Sequence, residues 1–588
     1  MPKTEGKVMS NEETQIQDTQ HAFLVAWGWF GEQIGLIKGI DAVELAQKNY
    51  IHSPQAKVKE FFVGILAGIK HLQDISHSAH PLDLDQAVAK AWGEDGWADS
   101  SGVSRTLSAL NWEEVQKLAK VLEEISQPFL KTELDVQQRE RKRLLYDGDL
   151  TGIPVSNTSK TYPKAAYGHM DDEIRLGYQA GVVSLVSENY GRLWLSATHL
   201  PGDTVSCTQA EGLVLAAEAK TGLRPMRRTD LLASRIQAFE MQVETTQKRS
   251  LVQQEALQKA QQQVIEASQE VEEQQTILTE VERKYQEHQR KERPTSQLAK
   301  ARKRQATVVR RQQNRTKACQ AVQRRLDKTL AMSTGQHKVL EQMKVRLARF
   351  EQENSTNLLP VDADFRLDAG FGTYENIALI IEMGYQIYTK AHNSHLVASL
   401  KKRTSSETHW ERVGANAEMV AWKNQTLKHC PYPLDVGLER FHTGQTIKHS
   451  ALLHFGPDPV AQDLTAWFKH YNGRQIIEAG IKEGKQVFYL HKIKVRSEPA
   501  IFLQETFVIF AANFIRWASQ WLANQTEPSP QNLIVQKLGI KLQVQVGAHV
   551  SAQVIRNSEG KLLKFSDQSA FAGKSLLFRD TATPRSFQ

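Results

Sequence analysis

Cysteine is scarce in this chain: three in 588 residues, Cys207, Cys319 and Cys430, too far apart to share a metal-ligand spacing. That excludes a disulfide framework and a cysteine-based zinc site, and it fits a reducing, cytoplasmic compartment. Uninterrupted apolar runs are also missing. The most apolar stretch, IFLQETFVIFAANFIRWASQWL, is broken by Gln504, Glu505, Asn513 and Arg516, and the polar start MPKTEGKVMSNEETQIQDTQ carries no signal core. The stretch therefore reads as a buried helix, and no membrane partner is expected. The nineteen histidines show no HExxH or other paired spacing, so none is assigned to a metal. Acidic residues are scarce in one place only: between Arg290 and Arg325, thirteen Lys and Arg face a single acid, Glu292. That segment carries +12 in a chain whose formal net charge is +8, so the remainder sums to −4. Local basicity of this kind is the footprint of a polyanionic partner, with nucleic acid the first expectation and a solvated coiled-coil tip the plain alternative.

A chain of this length predicts three or four domains. Residues 1–135 read as short amphipathic helices. Within them SSGVSRTLSALNWEEVQKLAK places Ser100, Ser101 and Ser104 ahead of apolar residues at helical spacing, which predicts a capped, DNA-recognition type of helix. RLLYDGDLTGIPV predicts a strand that stops at Asp149; IRLGYQAGVVSLVS and GRLWLSATHL predict two more, completing an antiparallel meander closed by the helix TQAEGLVLAAEAKTG. From residue 229 to 353 the character changes. Leu257, Ala260, Val264, Ala267, Val271, Gln274, Leu278, Val281 and Tyr285 step alternately by three and four, and a second seam runs through Cys319, Val322, Leu326, Leu340, Met343, Leu347 and Phe350. With Pro294 between them, the two arms predict an antiparallel coiled-coil hairpin, each arm about 80 to 90 Å long at 1.5 Å per residue. Beyond it, LLPVDADFRLDAGFGTYENIALIIEMGYQIYTKA reads as a βαβ unit with Asp368 at the end of its first strand. Residues 400–460 read as a small β-rich insertion, 461–524 as helical, and 525–588 as strand-like pieces, KLQVQVGAHVSAQVI among them, of unreadable role.

Three acids stand out by position: Asp149, Asp368 and Glu478. Carboxylates at neighbouring strand ends can converge on hard divalent cations that hold substrate phosphates, although an aspartate at a strand end is ordinarily turn chemistry. Glu478 belongs to YNGRQIIEAGIKEGK, which sets Tyr471, Arg474, Glu478 and Lys485 on one stripe of a single helix; a solvated face with internal ion pairs is the plain reading of that stripe.

Those four residues, at their spacings of three, four and seven, resemble the signature of the DDE transposases of bacterial insertion sequences, in the Tyr-Arg-Glu-Lys group. DGDLTGIPVS is similar to that family's first-aspartate block and RLDAGFGTYENIALIIEMGYQIYTKA to its second, so the resemblance covers Leu144–Gly222 and Pro360–Ser519. It implies an α/β chain with an RNase H-like catalytic core, a mixed sheet with helices on both faces, in three parts (136–228, 354–399 and 461–524). It implies two Mg2+ ions, with Mn2+ as alternative, held by Asp149, Asp368 and Glu478; Asp147 competes for the first place, and the Asp-Leu-Thr order favours Asp149. Double-stranded DNA would be the substrate, cut and joined by a homodimer in a synaptic complex, with Tyr471, Arg474 and Lys485 on phosphates; the enzyme would be cytoplasmic and nucleoid-associated. The hairpin is outside the family plan. Its Arg302, Lys303, Arg304, Arg310 and Arg311 are candidates for further DNA contact, and Trp410 and Trp422 for base stacking. The rival expectations are a non-catalytic DNA-binding scaffold and a stand-alone nuclease.

Overall fold

The computed structural model describes residues 15–47, 51–157, 162–170, 173–525, 531–557 and 560–578. The chain divides into two compact units: one drawn from the segments before Arg227 and after Leu358, the other Arg227–Leu358.

The larger unit is mixed α/β. Its strands are β1 (Gln15–Thr19), β2 (Leu144–Pro154), β3 (Ala166–Met170), β4 (Glu173–Ser187), β5 (Gly191–Pro201), β6 (Ala363–Arg366), β7 (Gln386–Lys390), β8 (Glu411–Arg412), β9 (Ala417–Gln425), β10 (Leu434–Thr443), β11 (Thr446–Phe455), β12 (Ala552–Asn557), β13 (Gly560–Phe565) and β14 (Ser575–Phe578). Ten of them form one sheet in the order β3-β4-β2-β6-β7-β11-β10-β9-β8, with β5 also paired to β4. β2, β4 and β5 are the antiparallel meander that their apolar runs predict, while β6 joins β2, and β7 joins β6, in parallel. The parallel step is made by the helix Tyr374–Glu382, started by the Thr373 side chain, which accepts from the Asn376 N–H.

Helices cover both faces of this sheet. A side chain at Gly148 or Gly181 would meet Leu213 of the helix Ala210–Thr221, so that helix lies on the face opposite Asp147 and Asp149. On the other side the helix Glu498–Gln525 packs on β5. It is the one helix among the described residues long and apolar enough to cross a membrane, and 72% of its apolar window is buried inside the protein. Phe510, Phe514 and Trp517 explain that burial: they interlock with Phe62, Phe30 and Phe129 of the N-terminal helices.

Three sequence expectations change here. β2 does not stop at Asp149 but continues to Pro154, because β4 offers it continuous antiparallel partners from Leu185 to Gly177. Residues 400–460 are β-rich, as their pattern predicts, and they extend the main sheet: β11 pairs with β7, opposite Thr389 and Lys390, and carries β8–β10. The helix Ser100–Ala109 is started by Asp99, whose carboxylate accepts from the Gly102 N–H at 2.7 Å, and not by the serines. Within KLQVQVGAHVSAQVI, Ile540–Gln545 is helical; only Ala552–Asn557 is a strand, pairing with β1 at the opposite end of the chain in a four-stranded antiparallel sheet.

The smaller unit is the hairpin, with arms Thr229–Glu287 (59 residues) and Gln297–Thr356 (60 residues). Its antiparallel register is visible in the cross-arm contacts, where one partner advances as the other retreats: Gln247 with His337, Ser268 with Gln312, Glu270 with Arg311 and Glu282 with Arg302. The seam is narrow. Leu257, Ala267 and Leu278 of the first arm are buried, and Leu326, Met343 and Phe350 of the second.

Candidate active site

Asp147 and Asp149 lie two residues apart on β2 and so point to the same face. They have different partners. Asp147 is fully buried and takes a two-pronged contact from Arg366 of β6, Nε to Oδ1 at 2.6 Å and Nη2 to Oδ2 at 2.7 Å. Asp149 borders open space: its side chain is 14% exposed, its Oδ1 accepts from the Leu150 N–H at 2.8 Å and its Oδ2 from Arg474 Nη1 at 2.9 Å. The geometry thus consigns Asp147 to a structural ion pair and leaves Asp149 facing the cleft.

The parallel register places Asp147 level with Arg366, so Asp149 and Asp368, each two residues further on, emerge abreast where β6 ends. Asp368 starts the 3-10 turn Ala369–Phe371, its Oδ1 accepting from the Gly370 N–H at 2.9 Å. Turn chemistry therefore does account for one of its oxygens. Burial pushes the Asp149 carboxyl up to about 6; Arg474 opposes that rise and the charge of Asp368 adds to it.

The stretch from Tyr471 to Lys485 is two helices instead of one. Leu464–Asn472 and Gln475–Gln486 meet at Gly473 and Arg474, where a side chain on Gly473 would run into the Arg366 guanidinium. The break removes the single stripe. Tyr471 turns into the core with Tyr388, Met419, Leu452 and Trp467, is 3% exposed and donates its hydroxyl to the Leu367 carbonyl at 3.3 Å. The expectation that Tyr471 holds a phosphate is thereby corrected: it fixes the loop between β6 and Asp368. The second helix carries the rest. Arg474, at its start, donates to Asp149 and, through Nη2, to Glu478 one turn on. Burial disfavours the Arg474 charge, but Asp149, Glu478 and Asp368 outweigh it and raise the guanidinium pKa. Glu478 itself is 52% exposed. Gly480, which would weaken an isolated helix, has a reason here: the buried Arg192 guanidinium lies against it and donates to the Ile476 carbonyl.

Asp149 and Glu478 border a cleft of about 1020 Å3, with Thr151, Gly370, His392, Lys482, Lys485 and His491 among its walls. Lys485 and Glu478 thus line the same cleft. Among the described residues no three His, Cys, Asp or Glu side chains form a group that could hold a metal ion as they stand. Between Asp149 and Glu478 stands a cation of the protein's own, Arg474.

No protein-family model matches the chain, and no curated protein is similar to it.

The other candidates lie elsewhere. Trp410 and Trp422 are half-buried and outside the cleft walls, and each already faces a guanidinium, Arg440 at 4.1 Å and Arg403 at 6.0 Å. Arg302, Lys303, Arg304, Arg310 and Arg311 belong to the hairpin unit. There all five are exposed; Arg302 pairs with Glu282 and Glu292 and Arg311 with Glu270, whereas Lys303, Arg304 and Arg310 enter no ion pair among the described residues. Sequence reasoning missed several wall residues. Lys482 was within reach of it, four residues after Glu478 on the same helix. His392 and His491 were not, because loops bring them in.

Proposed function

We propose that the chain is a DNA transposase of the DDE type, cutting a strand at an element's end and joining the freed 3′ hydroxyl to a second strand. One observation carries the reading: Arg474 bridges Asp149, 325 positions before it in sequence, and Glu478, four positions after it, and both acids border a cleft that also presents Lys482 and Lys485. A meander followed by a parallel crossover, with Asp149 on the first strand, Asp368 beyond its neighbour and Glu478 on a late helix, is what an RNase H-like core requires, and it supports that finer description of the sheet.

The candidate ligands suit hard cations: they are three carboxylates, and a guanidinium already bridges two of them, Asp149 and Glu478. Asp149, Asp368 and Glu478 would hold Mg2+ or Mn2+, which when bound stabilises the charge on the attacking and leaving oxygens of a phosphodiester displacement. The protein's own part is separate. Arg474 would exchange its carboxylates for a DNA phosphate, freeing Asp149 and Glu478 while it grips the substrate. Lys482 and Lys485 neutralise phosphates along the same wall, and Asp149 must lose its proton before it can serve.

The test supplies duplexes carrying the inverted repeats that flank the gene, with magnesium. Cleavage at the repeat followed by strand transfer is expected. Cleavage without joining would make the chain a nuclease, and end binding with neither reaction would make it a scaffold; either result overturns the proposal.

A further inference from the structure

We infer that the outward face of the second hairpin arm is a docking stripe for the phosphates of duplex DNA, formed by Lys303, Arg310, Lys317 and Arg324. The four recur at intervals of seven along one continuous helix, Gln297–Thr356, and all four are exposed. Seven residues is two turns within about 20°, so the four share a face.

The arm divides its cations between two faces. Those directed at the first arm are engaged there: Arg302 with Glu282 at 3.0 Å, Arg311 with Glu270 at 2.8 Å, and Arg315 with the Gln263 carbonyl at 3.0 Å. No ion pair involves Lys303, Arg310, Lys317 or Arg324 among the described residues. On their own helix the first acid is Asp327, whose Oδ1 accepts from Gln323 and which forms no ion pair with Arg324 among the described residues. A stable hairpin needs only the inward set, so the outward set is left for a partner.

The chemistry of that partner follows from the stripe. At 1.5 Å per residue it is about 31 Å long, close to one turn of B-form DNA. No Phe, Trp or Tyr occurs from Gln286 to Arg349, so the arm has no platform on which unpaired bases could stack. Along the stripe, from Gln297 to Leu326, no large apolar side chain is exposed, so this stretch offers no apolar face to a lipid surface. What remains is contact with the phosphate backbone, independent of sequence. The choice of DNA as the polyanion rests on the proposed function, but the stripe needs no catalysis by the core.

The test compares the full-length protein with its K303Q/R310Q/K317Q/R324Q variant, by fluorescence anisotropy on an arbitrary duplex over a KCl series. Each phosphate contact contributes about 0.9 to the slope of log K against log salt, so the variant's slope is expected to fall by about 3 to 4. Far-UV circular dichroism checks the hairpin, and the single K317Q variant, expected to lose about 0.9, serves if the quadruple one loses helix. An unchanged slope overturns the inference, as does an equal loss in R302Q/R311Q, or tighter retention by anionic vesicles than by the duplex. A normal slope in wild-type protein that never cleaves would sink the transposase reading while leaving the stripe intact.

Discussion

Replacing Asp149 by asparagine should stabilise the fold while abolishing strand cleavage. The magnitude follows from the site. The carboxyl is raised from 3.8 to about 6, chiefly by burial, and that value already includes the attraction of Arg474. At about 1.36 kcal/mol per tenfold change in proton affinity, ionising Asp149 costs the folded protein about 3 kcal/mol more than the unfolded chain. The sign follows from proton counting: between those two values the folded state holds the proton and the unfolded state does not, so stability falls as pH rises through the window. Below it the penalty is absent; above it the penalty is complete. An isosteric amide never pays this cost, so D149N should gain up to about 3 kcal/mol near pH 8 and about half of that near pH 5. Thermal unfolding at the two pH values measures the gain, and a cleavage assay on the same samples measures the loss. A variant that melts no higher than wild type near pH 8, or whose advantage grows on acidification, would refute the reasoning.

The neighbouring acid should behave in the opposite way. D147N strands the buried Arg366 guanidinium without its counter-charge and should cost about 3 to 5 kcal/mol, read from the same melts; a neutral effect would mean that Asp147 is not a structural partner. In R474Q the attraction that holds Asp149 down is gone, so its carboxyl should rise above 6 and the acid limb of the cleavage profile should move to higher pH. R474K should recover part of that shift but little of the DNA affinity, because an ammonium lacks the fork that spans two acceptors. An unmoved profile in R474Q would show that the bridge does not govern ionisation.

Much of this architecture could be read from patterns a few residues long. Short apolar runs gave β4 and β5, the three-four spacing gave the hairpin, and Pro294 marked its turn, because each rests on contacts between near neighbours in sequence. The pairing of β1 with β12 had no such signal, since strand partners more than 500 residues apart leave no mark on either strand. The same limit applied at the cleft. Asp149, Asp368 and Glu478 could be singled out by position, but the junction of the two helices at Gly473, packed against an arginine from β6, and the place of Tyr471 in the core could not.

The sequence by itself determined which groups this protein has to work with: a basic helical hairpin, three well-placed acids and the cations spaced around one of them. Only the tertiary structure decided how those groups are spent. Of two aspartates on one strand it buried the first against Arg366 and turned the second to the cleft, and of the hairpin's cations it faced some inward to Glu270 and Glu282 and left others on the outside. The reason is that charge is a property of a residue, whereas its neutralisation depends on which distant segment folds against it.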